Sequence, residues 1–255
     1  MNLHDRIDLY KSELDKIRPF EGDMLKQIRS YYRVGLTWSS NAIEGNTLTE
    51  SETKVLLEDG LTVGGKPLRD TFEALGHAQA YDFMFTLLGK HEISESDVLT
   101  LHRMFYKDID EANAGVYRKT PVIITGSKYP VCAVDEIPGE MAKLFAWANG
   151  ERVKYHPVEF AAELHRRFVF IHPFVDGNGR VARLLMNTAL IQDGYMLVII
   201  PPILRSQYIS LLEKAHSDAR AFNEFIAQQE LESQKEIMRL LHIRRPDWNK
   251  QEPSL

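Results

Sequence analysis

One cysteine, Cys132, stands in a chain of 255 residues. An intrachain disulfide is therefore excluded, and so is any cysteine-based metal or redox motif. Long apolar runs are missing as well. No window approaches the roughly 20 apolar residues that cross a bilayer, and the opening MNLHDRIDLYKSELDK is charged rather than signal-like. A cytoplasmic location without membrane contact is the expectation. A formal charge of −5 leaves no basic footprint for DNA. Internal repeats and low-complexity segments are absent, and no two histidines have a spacing that suggests zinc. His77, His102, His156 and His165 accordingly read as structural.

What is present is a helical pattern. Hydrophobic residues make up 44% of the chain, enough to bury a core as one domain, or as one domain with an N-terminal helical extension. The pattern predicts helices near residues 3–17, 22–43, 50–58, 70–89, 95–107, 135–149, 157–170, 178–193, 205–216 and 219–242. Thr49 with Glu52, and Ser94 with Asp97, have the spacing of reciprocal helix starts. Pro157 sits where a first helical residue often does, and Phe160, Leu164, Phe168 and Ile171 follow at helical spacing. The best strand candidate is the β-branched run from Arg118 to Val131, interrupted by Thr125-Gly126-Ser127-Lys128 and predicting one short β-hairpin.

The run His172-Pro173-Phe174-Val175-Asp176-Gly177-Asn178-Gly179-Arg180-Val181-Ala182-Arg183 concentrates the chemistry. Pro173 stops the preceding helix, and Gly177 and Gly179 allow the backbone to turn its amides inward. If a helix begins near Asn178, its free N–H groups and dipole favour an anion. Arg180 and Arg183 share one face of that helix and can fork onto phosphate oxygens. His172 can take up a proton near neutral pH and is the candidate general base. Asp176, just before the anion cradle, suits Mg2+, which binds oxygen ligands and bridges to substrate phosphates. The plain alternative makes the glycines turn residues and the histidine a packing group; the complete ordered set argues against it.

At these residues the chain resembles the Fic family, whose signature HPF-x-(D or E)-GNGR-x-x-R is matched at every fixed position. The resemblance implies a mainly α-helical Fic fold with one hairpin flap, and transfer of AMP from ATP to a hydroxyl of a protein. It also implies that His172 deprotonates a target Ser, Thr or Tyr, and that Asp176 holds Mg2+. Gly177, Asn178, Gly179 and Arg180 would hold the α- and β-phosphates, with Arg183 at the γ-phosphate. Phe174 would be a packing anchor. Tyr208 matches a family tyrosine near the adenine, although a core aromatic fits that position too.

A second element, Ser40-Asn41-Ala42-Ile43-Glu44-Gly45, ends an amphipathic segment marked by Leu25, Ile28, Tyr32 and Leu36. The resemblance makes this an inhibitory helix, about residues 22–45, with Glu44 pairing Arg183 and Ser40 on the same face. The hairpin becomes a flap whose edge, Ile123, Ile124, Thr125 and Gly126, pairs with the target as an added strand. The expected organisation is an N-terminal helical region over 1–66, a catalytic core over 67–242 and a polar tail over 243–255. Self-modification and a homodimer belong to the same expectation. Three alternatives stay open: removal of AMP, a donor other than ATP such as UTP, and a nucleotide-sensing module without catalysis.

Overall fold

A computed structural model describes residues 1–246. The α-helices among these residues are α1 (Leu3–Asp15), α2 (Gly22–Ile43), α3 (Glu50–Lys54), α4 (Leu68–Met84), α5 (Glu95–Tyr106), α6 (Ile137–Glu151), α7 (Pro157–Ile171), α8 (Asn178–Gln192), α9 (Arg205–Lys214) and α10 (Arg220–Leu240). The reciprocal starts foreseen at Thr49/Glu52 and Ser94/Asp97 both form. At α7, Pro157 is the first helical residue and His156 accepts the Val158 N–H through Nδ1 at 3.2 Å.

The most extensive helix–helix contact is that between α7 and α8, joined by the short segment 172–177. Phe160, Leu164 and Phe168 of α7 and Val181, Leu184 and Leu185 of α8 are almost completely buried. Truncating Phe168 to alanine would cost about 3–5 kcal/mol from lost burial and the cavity left behind. One helix, α10, packs on both α7 and α1. Ile7, Tyr10 and Leu14 of α1, and Ile28, Tyr32, Leu36 and Ile43 of α2, belong to the same hydrophobic cluster as the α7–α8 core. That core therefore runs continuously across residue 66. A smaller cluster, Leu48, Leu56 and Ala74, lies apart from it.

The expected hairpin is corrected. No strand occurs among the described residues, and residues 121–131 run as irregular chain around a turn in which Ser127 N–H donates to the Ile124 carbonyl at 3.1 Å. Pro121 and Pro130 each remove a ladder donor, and an isolated two-stranded ribbon is marginal. The second arm is also engaged elsewhere: Glu213 of α9 accepts Lys128 N–H at 2.7 Å and the Ser127 hydroxyl at 3.1 Å. Tyr129 stacks on His216, which stacks in turn on Phe170, with ring centroids 3.9 Å and 3.6 Å apart. Residues 247–255 of the expected tail lie outside the described residues. No helix among the described residues is long and apolar enough to cross a membrane.

Candidate active site

His172 caps the C-terminus of α7 in the left-handed conformation, φ +53°, with its N–H on the Phe168 carbonyl at 3.1 Å. A non-glycine residue there costs of order 1–3 kcal/mol and persists only when its surroundings dictate it. Three contacts do so. Arg118 Nε donates to the His172 carbonyl at 2.9 Å, and Arg118 N–H donates to the Pro173 carbonyl at 2.9 Å. Phe174 is fully buried and stacks on His102 at 3.7 Å. His102 accepts Gly115 N–H on Nδ1 at 2.9 Å, which leaves Nε2 as the donor to the Asp176 carbonyl at 3.1 Å.

The loop then closes on itself. Asn178 accepts Phe174 N–H on Oδ1 at 2.9 Å and donates from Nδ2 to the Phe174 carbonyl at 2.8 Å. Its side chain is thereby engaged, and what it offers an anion is its main-chain amide. Gly177 has φ +77°, and a Cβ there would lie 2.8 Å from the Phe105 ring. Helix α8 starts at the next residue. A Cβ on Gly179 would collide with Oε1 of Glu44, so a carboxylate already rests on the first turn of α8, where helix amides and dipole favour negative charge.

Arg183 is buried among α2 and α9. Its Nη2 donates to Glu44 Oε1 at 2.7 Å and to the Ser40 carbonyl at 2.9 Å, its Nε to Ser40 Oγ at 2.9 Å, and its Nη1 to the Tyr208 hydroxyl at 3.4 Å. Tyr208 is itself buried and shares its hydroxyl with His165 Nε2 at 2.8 Å. The chain thus brings Ser40, Glu44, Arg183 and Tyr208 together across 168 positions of sequence separation, from Ser40 to Tyr208. Arg205 adds a contact from α9, its Nε on the Ile43 carbonyl at 2.6 Å, next to Glu44.

Arg180 is tied differently. It contacts Asp176 Oδ1 at 3.2 Å and Glu73 Oε1 at 3.1 Å, with its guanidinium 4.3 Å from the centre of the Phe105 ring. Asp176 also meets Arg69 at 2.6 Å and Gly177 N–H at 2.6 Å. Burial pushes the Asp176 carboxyl up, but Arg180, the Gly177 amide and Arg69 outweigh it and hold the pKa below its ordinary value. Glu44 follows the same logic: burial acts upward, and Arg183 with Arg180 bring the net shift downward. His172 is pushed down to about 4 by burial, which the Val169 carbonyl offsets only in part. The imidazole is therefore neutral, and able to accept a proton, at ordinary pH.

Glu44, His172, Gly179 and Tyr208 line one cavity of about 240 Å3, together with Ile124 and Thr125 of the flap. Ile123 points out of it and is 94% exposed, while Gly126 has φ +90° at the turn. Arg69, Glu73, Arg118 and Glu213 carry much of this arrangement without having stood out in the sequence. Only Arg118 lay at the edge of a recognisable segment.

The fold and the site define a helical protein built around a loop that joins a neutral histidine to an anion-favouring helix start. The Fic/DOC family profile matches residues 92–190. Protein adenylyltransferase Fic of Drosophila grimshawi is 41% identical over 197 residues, covering 74% of this chain and 40% of the relative. The Drosophila melanogaster protein of the same name is 36% identical over 230 residues, covering 88% of this chain and 45% of its own length. Among solved structures, a Glu-to-Gly variant of a Fic-1 fragment from C. elegans superposes with a TM-score of 0.83 at 30% identity, covering 93% of this chain and 72% of that one. A Fic domain containing signaling protein from Bacteroides thetaiotaomicron gives 0.86 at 29% identity, over 94% of this chain and 99% of that one. The chain belongs to the Fic family. It spans about two-fifths of the length of the curated relatives it matches.

Proposed function

We propose that this chain is a protein adenylyltransferase that moves AMP from ATP to a Ser, Thr or Tyr hydroxyl of a protein, and that Glu44 restrains it. One observation carries the reading: the Glu44 carboxylate rests on Gly179 and Arg183 at the start of α8, in a cavity shared with His172. A carboxylate satisfied by a helix N-terminus and a guanidinium occupies a place that equally suits a phosphate. The name shared by relatives over three-quarters of this chain supports the same chemistry.

In this reading His172 removes the proton of the target hydroxyl as its oxygen attacks the α-phosphorus of ATP; the new P–O bond forms as the bond to pyrophosphate breaks. The main-chain amides of Gly177, Asn178 and Gly179 hold the α- and β-phosphates, and Arg180 keeps Asp176 in place beside them. Arg183 meets the γ-phosphate once Glu44 has left. Catalysis of this kind depends on positioning and charge neutralisation. Asp176 fits Mg2+: both its oxygens are already met by positive groups, it is the single carboxylate on the loop, and magnesium commonly takes one or two carboxylates plus substrate phosphates. When bound, the ion would neutralise charge on the phosphates.

The flap residues Ile123, Ile124, Thr125 and Gly126 would receive the target along extended backbone, with Arg118 fixing the flap's base. Residues 1–66 would form the regulatory extension and 67–242 the catalytic core, with cytoplasmic location, self-modification and a homodimer as parts of the same proposal. A second reading, removal of AMP from a modified protein, is favoured by one fact: Glu44 and His172 share a cavity, so the carboxylate could orient a water.

The test is intact-mass spectrometry after incubation with ATP and Mg2+, with lysate and α-labelled ATP alongside. A gain of one AMP, or labelled lysate proteins, is expected in Glu44→Gly and not in Glu44→Gly/His172→Ala. Absence of transfer from ATP in every variant would overturn the proposal and direct attention to AMP removal.

A further inference from the structure

Four side chains close a ring of alternating charge beside the α8 start. Asp176 Oδ2 lies 2.6 Å from Arg69 Nη2, and Arg69 Nε lies 3.0 Å from Glu73 Oε1. The same Glu73 oxygen is 3.1 Å from Arg180 Nη1, and Arg180 Nη2 returns to Asp176 Oδ1 at 3.2 Å. Two arginines thus bridge the same two carboxylates from opposite sides.

Their surroundings differ. Arg180 is 3% exposed and Glu73 8%, so withdrawing Arg180 would strand a buried carboxylate. Arg69 is 55% exposed and Asp176 37%. Water can solvate the Arg69 guanidinium if it swings away, and a half-exposed pair of this kind contributes little. Glu73 would keep Arg180, and its Oε2 already accepts from Asn46 Nδ2 at 3.0 Å. Loss of the Arg69 contact therefore frees a single oxygen, Oδ2 of Asp176, on the solvent side of the ring.

We infer that Arg69 is a built-in competitor for the divalent cation at Asp176: its guanidinium occupies Oδ2, and the ion enters by displacing it. The inference rests on the metal role proposed for Asp176. Among the described residues no cluster of three or more His, Cys, Asp or Glu is placed to hold an ion, so an ion at Asp176 takes its remaining ligands from water and one oxygen matters to the affinity. Arg69, anchored through Nε to Glu73, makes the empty site self-neutralising and sets how much cation is needed to open it.

Binding of Mn2+ alone to the full chain, followed by electron paramagnetic resonance without nucleotide, tests this. Arg69→Gln should bind Mn2+ roughly twofold to fivefold more tightly than wild type, the size of one half-exposed ion pair. Adding Asp176→Asn should erase the gain. Lys66→Gln, the same loss of charge without contact to Asp176, should leave binding at the wild-type level. Unchanged, weaker or undetectable binding in Arg69→Gln overturns the inference, as does a gain that survives Asp176→Asn or appears equally in Lys66→Gln. If Arg69→Gln fails a thermal-unfolding check, Arg69→Lys replaces it, with a smaller gain expected because a point charge covers Oδ2 less well than the planar fork. Because no step uses ATP, tighter Mn2+ binding in a chain that never moved AMP would sustain the competitor and sink the transferase.

Discussion

Nη2 of Arg183 is shared between Glu44 Oε1 at 2.7 Å and the Ser40 carbonyl at 2.9 Å, while its Nε rests on Ser40 Oγ. Ser40 of α2 and Glu44, the residue that caps it, therefore do different things to one guanidinium: Ser40 orients it, and Glu44 covers it. Glu44→Gly should tighten ATP binding by about tenfold to a hundredfold, the range of one charge-assisted hydrogen bond. Ser40→Ala should weaken it, because Arg183 loses a fixed partner and Glu44 stays. Nucleotide binding followed by fluorescence separates the two. Equal ATP affinity in wild type and Glu44→Gly would remove the restraint from the account.

The acidity of His172 makes a second prediction. Its proton leaves at about 4 in the free protein, so the neutral, base-competent form persists as pH falls well below the ordinary histidine value of 6.5. A bound triphosphate places negative charge nearby and raises that pKa. Glu44 is one of the charges that raise the His172 pKa, so in Glu44→Gly the acid limb of kcat/KM for ATP should lie below that of the wild-type protein, and the limb of kcat should lie higher than the limb of kcat/KM. A single limb near 6.5 in both profiles would contradict the burial described for the imidazole.

Glu230 offers a prediction about stability. It is completely buried, receives Met196 N–H at 2.9 Å and Gln234 Nε2 at 3.1 Å, and burial lifts its pKa to about 8 from 4.5. A carboxyl with a raised folded-state pKa stabilises the fold fully below its unfolded value, and that contribution disappears as pH rises through the folded value. The wild-type unfolding midpoint should therefore fall as pH rises from about 4.5 to about 8, and this component should level off above that. Glu230→Gln, which keeps the shape and cannot ionise, should remove this fall between about 4.5 and about 8. Parallel curves for the two proteins in calorimetry would show that Glu230 does not titrate as its environment dictates.

Much of the fold was legible because helices announce themselves locally. Thr49/Glu52, Ser94/Asp97 and Pro157 mark starts by chemistry within one turn, and Phe160 to Ile171 mark a buried face by period. The His172–Arg183 loop was legible for the same reason, since its constraints lie within twelve residues. The flap was misread because its β-branched residues state a preference for extended chain but not a partner. The acceptor of Lys128 N–H is Glu213, 85 residues away. Arg69 was invisible for a related reason: nothing around it says that α4 will pack against a loop 107 residues later.

Arg118 joins three stretches of chain through one guanidinium, donating to the carbonyls of His172, Thr120 and Cys132. Two of these oxygens belong to the base of the flap, and the third belongs to the backbone of the histidine itself. If the target docks there as proposed, a polypeptide leaning on this segment loads the same guanidinium that braces the histidine's backbone. Seating a target and setting the backbone of the proposed base would then be a single mechanical event.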